Sequence, residues 1–167
     1  LSLRRAIPNE RVILTGWRTN GDFGAHRILR HVPDSTTATN LGCVFDSLTN
    51  GRYVADDCES GEVDVRWFGA DASGILPSSA AIQAATDYTY QMEGRTNKGV
   101  VLFPPGTFLI DATIVDYDSP LPSFTIWRGK TKALTGQLPN EFSTTLKAAP
   151  NLNAPILAFT HLRHAAV

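Results

Sequence analysis

No part of this 167-residue sequence stays apolar for long. Its longest uninterrupted aliphatic or aromatic runs, at 100–103 and 156–159, are four residues each. A membrane-crossing helix needs about 20, so membrane insertion through a helix is excluded. Residues 1–15 hold no apolar core with a small-residue cleavage pattern and do not read as a signal peptide. Cysteine is scarce: Cys43 and Cys58 lie fifteen positions apart and form no Cys-x-x-Cys pair. That spacing permits a disulfide, but two buried, reduced thiols are the preferred reading, and compartment stays open. A strong net charge is also missing, at −1 overall, which argues against the whole chain as a nucleic-acid binder. No serine nucleophile elbow, Walker loop or dinucleotide fingerprint occurs, because the glycines sit in turns. The first residue is Leu1 rather than methionine, and the chain ends without a terminating element; a piece of a longer polypeptide is expected.

What is present is a charge gradient. Residues 1–33 carry six arginines against Glu10 and Asp22, net +4, and residues 34–72 carry eight acids against Arg52 and Arg66, net −6. The two segments either fold together and neutralise each other, the preferred reading, or leave a basic end for an anionic partner.

Up to residue 62, short β-prone runs (11–15, 27–32, 42–45 and 52–54) alternate with turn clusters such as Thr19-Asn20-Gly21-Asp22 and Thr49-Asn50-Gly51. This predicts a small all-β module, ending in an acidic, solvated connector over 55–62. Val63-Asp64-Val65-Arg66-Trp67-Phe68 has the period of a half-buried strand. After Pro77, Ser78 is a plausible N-cap. Ile82, Ala85, Thr89 and Met92 follow at steps of three and four, predicting a one-faced helix closed by Gly94. The strand 100–103 then runs into Pro104-Pro105-Gly106, which predicts a type II turn. Short strands at 107–110, 113–115, 123–127, 144–148 and 155–160, punctuated by Pro and Gly, suggest a stacked solenoid or a compact sandwich.

Catalytic chemistry is thin. Asp111, Asp116 and Asp118 are the carboxylate candidates for glycan cleavage, and the segment of Asp116 and Asp118, with Tyr117 and Pro120 nearby, reads as a loop. His161 and His164 lack a third metal ligand, and His26 and His31 read as surface or packing residues. Trp67 and Trp127 fall in apolar runs and are expected in the core. Trp17, beside Arg18 and Asn20, is the one tryptophan kept as a glycan-contact candidate. No catalytic residue, metal site or cofactor is assigned.

The order Val63-Asp64-Val65-Arg66-Trp67-Phe68-Gly69-Ala70, Ser79-Ala80-Ala81-Ile82-Gln83-Ala84-Ala85, Val100-Val101-Leu102-Phe103-Pro104-Pro105-Gly106-Thr107-Phe108 resembles the opening of a pectate-lyase-like right-handed parallel β-helix. Ser143-Thr144-Thr145-Leu146-Lys147-Ala148 is similar to a later strand of that family. Upstream, Gly16-Trp17-Arg18-Thr19-Asn20-Gly21-Asp22-Phe23-Gly24-Ala25 resembles the glycine-rich segment that precedes Trp-Phe-Gly-Ala in bacteriophage tailspikes and related tail appendages. The chain departs from the family pattern at Asp71 to Ser78, where Gly-Asp-Gly-x-x-Asp-Asp is usual, so no ion or capping role is carried over to that loop.

The resemblance implies a mainly β chain: an attachment module with its acidic connector over 1–62, then a capping helix and first coils over 63–167. An open solenoid end exposes unpaired backbone and apolar interior, which a helix from Ser78 to Met92 can cover. The implied function is anchoring a tailspike to the virion tail and nucleating a homotrimer. Downstream coils would recognise or degrade bacterial surface polysaccharide, and this segment itself would be non-catalytic. Arg4, Arg5 and Arg11 are the candidates for docking on an acidic neighbouring tail protein. The rival expectation is the start of a secreted pectate-lyase-like polysaccharide lyase or glycoside hydrolase, which shares the cap motif.

Overall fold

The computed structural model describes residues 9–22, 26–91, 99–116, 126–129 and 143–159. Its first part is a four-stranded antiparallel sheet built from β1 (Arg11–Leu14), β2 (Arg27–Val32), β3 (Val44–Asp46) and β4 (Arg52–Ala55), in the order β1-β2-β4-β3. Leu29 and His31 on β2 turn inward and Ile28 outward, the period-two alternation of a sheet with one covered face.

From residue 62 every pairing is parallel. The strands form three faces: β5 (Glu62–Asp64), β7 (Val100–Phe103) and β10 (Ile126–Gly129) on one, β6 (Ser73–Pro77), β8 (Gly106–Ile110) and β11 (Thr144–Ala148) on the second, and β9 (Ile114–Asp116) with β12 (Leu157–Phe159) on the third. Successive coils therefore lie in register. Val63, Val101 and Trp127 stack on the first face, Phe108 on Leu146 and Ile110 on Ala148 on the second, and Ile114 on Leu157 on the third. Val63, Val101, Phe108 and Ile110 are fully buried, so the inside of the coils is a dry aliphatic and aromatic column.

The first coil has no third strand. Its place is taken by α1 (Ser79–Gln91), which buries Ile82, Ala85, Thr86 and Thr89 against the column. The helix also answers the backbone of the coil below. The Gln83 amide donates to the Val115 carbonyl (2.9 Å) and accepts the Val115 N–H (2.7 Å), reproducing both bonds that a neighbouring strand would make to β9. Ser79 Oγ accepts the N–H groups of Asp111 and Ala112 at 2.9 and 3.0 Å. Ser78 stands at the N-cap, its carbonyl taking the Ile82 N–H, while its hydroxyl bonds Asp71 instead of the helix. Met92 and Gly94, expected to close this helix, lie outside the described residues.

Several local expectations change. The run 63–68 is not one strand: Asp64 Oδ1 accepts the Arg66 N–H and converts 65–68 into a 3-10 turn closed by Gly69 at φ 96°. The connector is not a solvated linker. Residues 56–60 form a 3-10 turn whose Cys58 is buried and bonded to Cys43, with Cα atoms 5.9 Å apart, so the preferred reading of two free thiols is overturned. The pairing became possible because β3 pairs with β4 while the turn packs against the neighbouring β2, which sequence separation could not reveal. At Pro104-Pro105-Gly106 the chain makes a coil corner, not a type II turn. Gly106 sits at φ 144°, where a Cβ would meet the Ala72 carbonyl oxygen of the coil above at 2.6 Å.

Module and coils share one hydrophobic cluster, running from Leu29, Val44 and Ala55 through Val65 and Phe68 to Phe108 and Ile114. At their junction lies Arg27, only 2% exposed. Its guanidinium grips Asp57 with two bonds (2.9 and 2.7 Å), donates to the Gly42 carbonyl and to Cys58 Sγ (3.0 Å), and stacks 4.1 Å from the Trp67 ring centre. A buried cation is tolerated only with such complete pairing. Arg30 reaches Asp56 and Glu59, and Arg11 reaches Asp56. Arg11, Arg27 and Arg30 of the basic first segment thus face the acidic one.

Two outcomes follow from this architecture. Arg27→Leu leaves Asp57 and the Gly42 carbonyl without their donor and is expected to cost about 3 kcal/mol in urea denaturation, since removing one partner of a buried pair strands the other. Gln83→Leu keeps the side-chain volume but orphans both Val115 backbone groups. It should cost about 1–3 kcal/mol, whereas Gln83→Glu retains the acceptor and should cost less.

Candidate functional site

A cleft with mixed chemistry, a cavity of about 360 Å3, lies where the 15–22 loop meets the turn that leaves the first coil. Trp17, Arg18, Asp22, Arg66, Asp71 and Leu76 are among its walls.

Each wall is positioned by local backbone chemistry. Asp22 gathers the loop around its carboxylate, accepting the N–H groups of Trp17, Arg18 and Thr19 at 2.5, 2.6 and 2.9 Å. Asp71 does the same for the opposite wall, taking the N–H groups of Ser73, Ile75 and Leu76 and the Ser73 hydroxyl. For both acids, partial burial pushes the carboxyl up, but the hydrogen bonds outweigh it and hold the group below the usual carboxylate range. The two walls are fastened at Gly69. Arg18 Nη1 donates to its carbonyl at 2.9 Å. Its positive φ and missing Cβ let the Trp17 pyrrole ring lie against it, where a Cβ would come within 2.5–3.0 Å of three ring atoms.

Trp17, the glycan-contact candidate, therefore lines this cleft and is half-buried. Arg11 stands on the outer end of β1 with its guanidinium 3.8 Å from Asp56. Arg4, Arg5, Asp118, His161 and His164 lie outside the described residues. Trp67 and Trp127 pack against the core, Trp67 beneath Arg27 and Trp127 5.4 Å from Phe103. His31 is buried against Tyr53 and bonds the Asn50 carbonyl, while His26 is exposed. Asp116, on β9, has its carboxyl raised by burial, and Asp111 is exposed. Among the described residues no cluster of histidine, cysteine and carboxylate side chains could hold a metal ion, and no helix is long and apolar enough to cross a membrane. Asp71 was missed from sequence because its loop departs from the familiar pattern. An Asp followed by Ser-Gly two and three positions later was the available signal.

With this geometry in view, comparison places the chain among known architectures. Residues 62–120 match the family described as rhamnogalacturonase A/epimerase, pectate lyase-like. The structure resembles full-length tailspike protein 2 of an Escherichia coli O157:H7 bacteriophage, with TM-score 0.63 and 17% identity over 92% of this chain and 17% of that one. The fold is a tailspike-type, pectate-lyase-like parallel β-helix opening. The tailspike of Acinetobacter baumannii phage AM24 matches with TM-score 0.55 and 20% identity, over 72% of this chain and 18% of that one. WceF of Pantoea stewartii, a glycan biofilm modifying enzyme with a tailspike-like parallel β-helix, matches with TM-score 0.59 and 16% identity, over 92% and 21%. The chain thus spans about a fifth of these structures' length. No curated protein sequence matches it.

The two carboxylates set an acid limit for the tailspike-type opening. A carboxyl with a depressed folded pKa contributes stability that is complete above its unfolded value, about 3.9, and is lost as pH falls through the folded one. Thermal stability should therefore fall below about pH 4. Asp71→Asn should be less stable at neutral pH and show a flatter fall on acidification, read by melting curves from pH 7 to 2.5.

Proposed function

We propose that this chain is the capped opening of a tailspike-type protein, starting a β-helix whose later coils act on bacterial surface polysaccharide. The observation that carries the reading is the asymmetry of the stack. Its upper end is closed by α1 and the antiparallel module, while β10, β11 and β12 are the outermost strands of their faces among the described residues. A stack built this way has one finished end and one end that accepts further coils. In this reading three copies associate side by side, the protein belongs to the virion tail, and its work is extracellular. The Cys43–Cys58 disulfide suits a working place outside a reducing cytoplasm.

The attachment role falls to the module, which occupies the finished end. Its arginines contribute less than their number suggests, because Arg11, Arg27 and Arg30 already face acids of the same chain. A second reading makes the module a structural part of the glycan-acting body. It is favoured by a 92% match, at TM-score 0.62, to what is described as the enzymatically active domain of that same tailspike protein 2, and by the equal coverage of WceF.

Light scattering on this chain should give a mass near three times 18.1 kDa if trimerisation resides here. A mass of one chain, with a trimeric longer protein, moves assembly to later coils, and monomers in both sink the tailspike reading. Removing residues 1–61 from the longer protein separates the two roles of the module. A folded, glycan-cleaving remainder that no longer joins tails makes the module an attachment head, and an unfolded remainder makes it part of the body.

A further inference from the structure

The cleft between the 15–22 loop and the turn after Gly69 has more hydrogen-bonding capacity than the fold uses. Its acids are occupied, since Asp22 and Asp71 each hold three backbone N–H groups. Its cations are not. Arg18 uses Nη1 on the Gly69 carbonyl, and its Nε and Nη2 have no partner among the described residues. Arg66 uses Nε and Nη2 on Asp64, and its Nη1 has no partner among the described residues. Two guanidinium groups with unused donors thus line a cavity of about 360 Å3, at the small end of ligand sites. The third wall is the Trp17 indole, held against Gly69 so that its position is fixed before any ligand arrives.

The charges decide the ligand class. Arg66 is already paired with Asp64, and Arg18 stands beside Asp22 and Asp71, so the cleft carries no net positive charge and an anion gains no net attraction there. A neutral molecule with several acceptor oxygens and one apolar face fits each wall. Its oxygens take the free guanidinium N–H groups, and its C–H face covers the indole. We infer that the Trp17–Arg18–Arg66 cleft is a binding subsite for a neutral hexopyranose unit of the surface polysaccharide, at the capped end and separate from any site on later coils. This inference rests on the glycan-acting reading above. It adds a holding point that keeps the strand near the spike without cleaving it.

Saturation-transfer NMR on the 167-residue chain tests it, with methyl β-D-galactopyranoside and methyl β-D-glucopyranoside as neutral probes and sodium D-galacturonate as the anionic one. Affinity for a single unit is expected to be weak, of millimolar order. Transfer to the protons of a neutral pyranoside ring is expected, falling roughly tenfold in Arg18→Met and in Trp17→Phe. Trp17→Phe keeps a ring on Gly69, so that variant stays readable if Trp17→Ala does not fold. Melting curves matching wild type show that the loss is local. No transfer to either neutral probe, transfer to galacturonate alone, or transfer unchanged in both variants overturns the site. Polysaccharide cleavage by the longer protein, followed as new reducing ends, is scored separately. Cleavage without binding here removes only this subsite, and binding without cleavage removes only the depolymerase reading.

Discussion

A parallel coil cannot begin without leaving a row of peptide groups and an apolar interior facing nothing, and most of this structure answers that constraint. The answer has two chemistries on one helix. Ile82 and Ala85 close the column, and Gln83 and Ser79 supply the hydrogen bonds that a strand above β9 and its following corner would have made. A glutamine amide carries a donor and an acceptor at the spacing of a peptide unit, so one side chain stands in for a residue of strand. The cap is therefore specific as well as greasy. An alanine-rich helix of equal hydrophobicity would cover the core and leave Val115 unsatisfied.

The second organising element is the junction at Arg27. A guanidinium has five donors in one plane, and here the plane is spent on a carboxylate, a carbonyl and a sulfur, with its flat face given to Trp67. Arg27 stands on β2, and its partners come from the segment before β3, the 56–60 turn and the first coil's 3-10 turn. The module is thereby oriented on the stack by a directional contact, beyond the non-directional burial of Leu29 and Val44. The cleft inherits its shape from this. Arg18 and Trp17 meet Gly69 only because the module is held at that angle.

Much of the fold was legible in the sequence. The strands over 27–32, 100–103 and 144–148 appear where β-propensity and flanking turns put them, and the Ile82, Ala85, Thr89 spacing marks the buried face of α1. The expected partial neutralisation is seen at three of the arginines, as Arg27, Arg30 and Arg11 reach the acids of 56–59. What escaped depended on contacts between distant residues. Strand β6 has an exposed, poorly alternating pattern that declares itself only by pairing with β8. The 65–68 turn is set by a side chain, Asp64, that competes with the ladder for the Arg66 N–H. The disulfide required the antiparallel sheet to bring 43 and 58 together. The site was the least legible part. Trp17 stood out by its polar neighbours, but Arg66 and Asp71 join it through the folding of the coil's first corner, which no local pattern encodes.

The closed bond between Cys43 and Cys58 has a further consequence. Both residues are at most 1% exposed, and exchange with a thiol in solution needs a thiolate to reach a sulfur directly. The intact module offers no such approach, so reductant acts only on molecules in which the sheet has locally parted from the 56–60 turn. The rate at which reductant opens this bond, once attack outruns reclosing, then measures how often the module breathes. The protein carries in its own chain a clock for the opening of the joint that fixes its first coil.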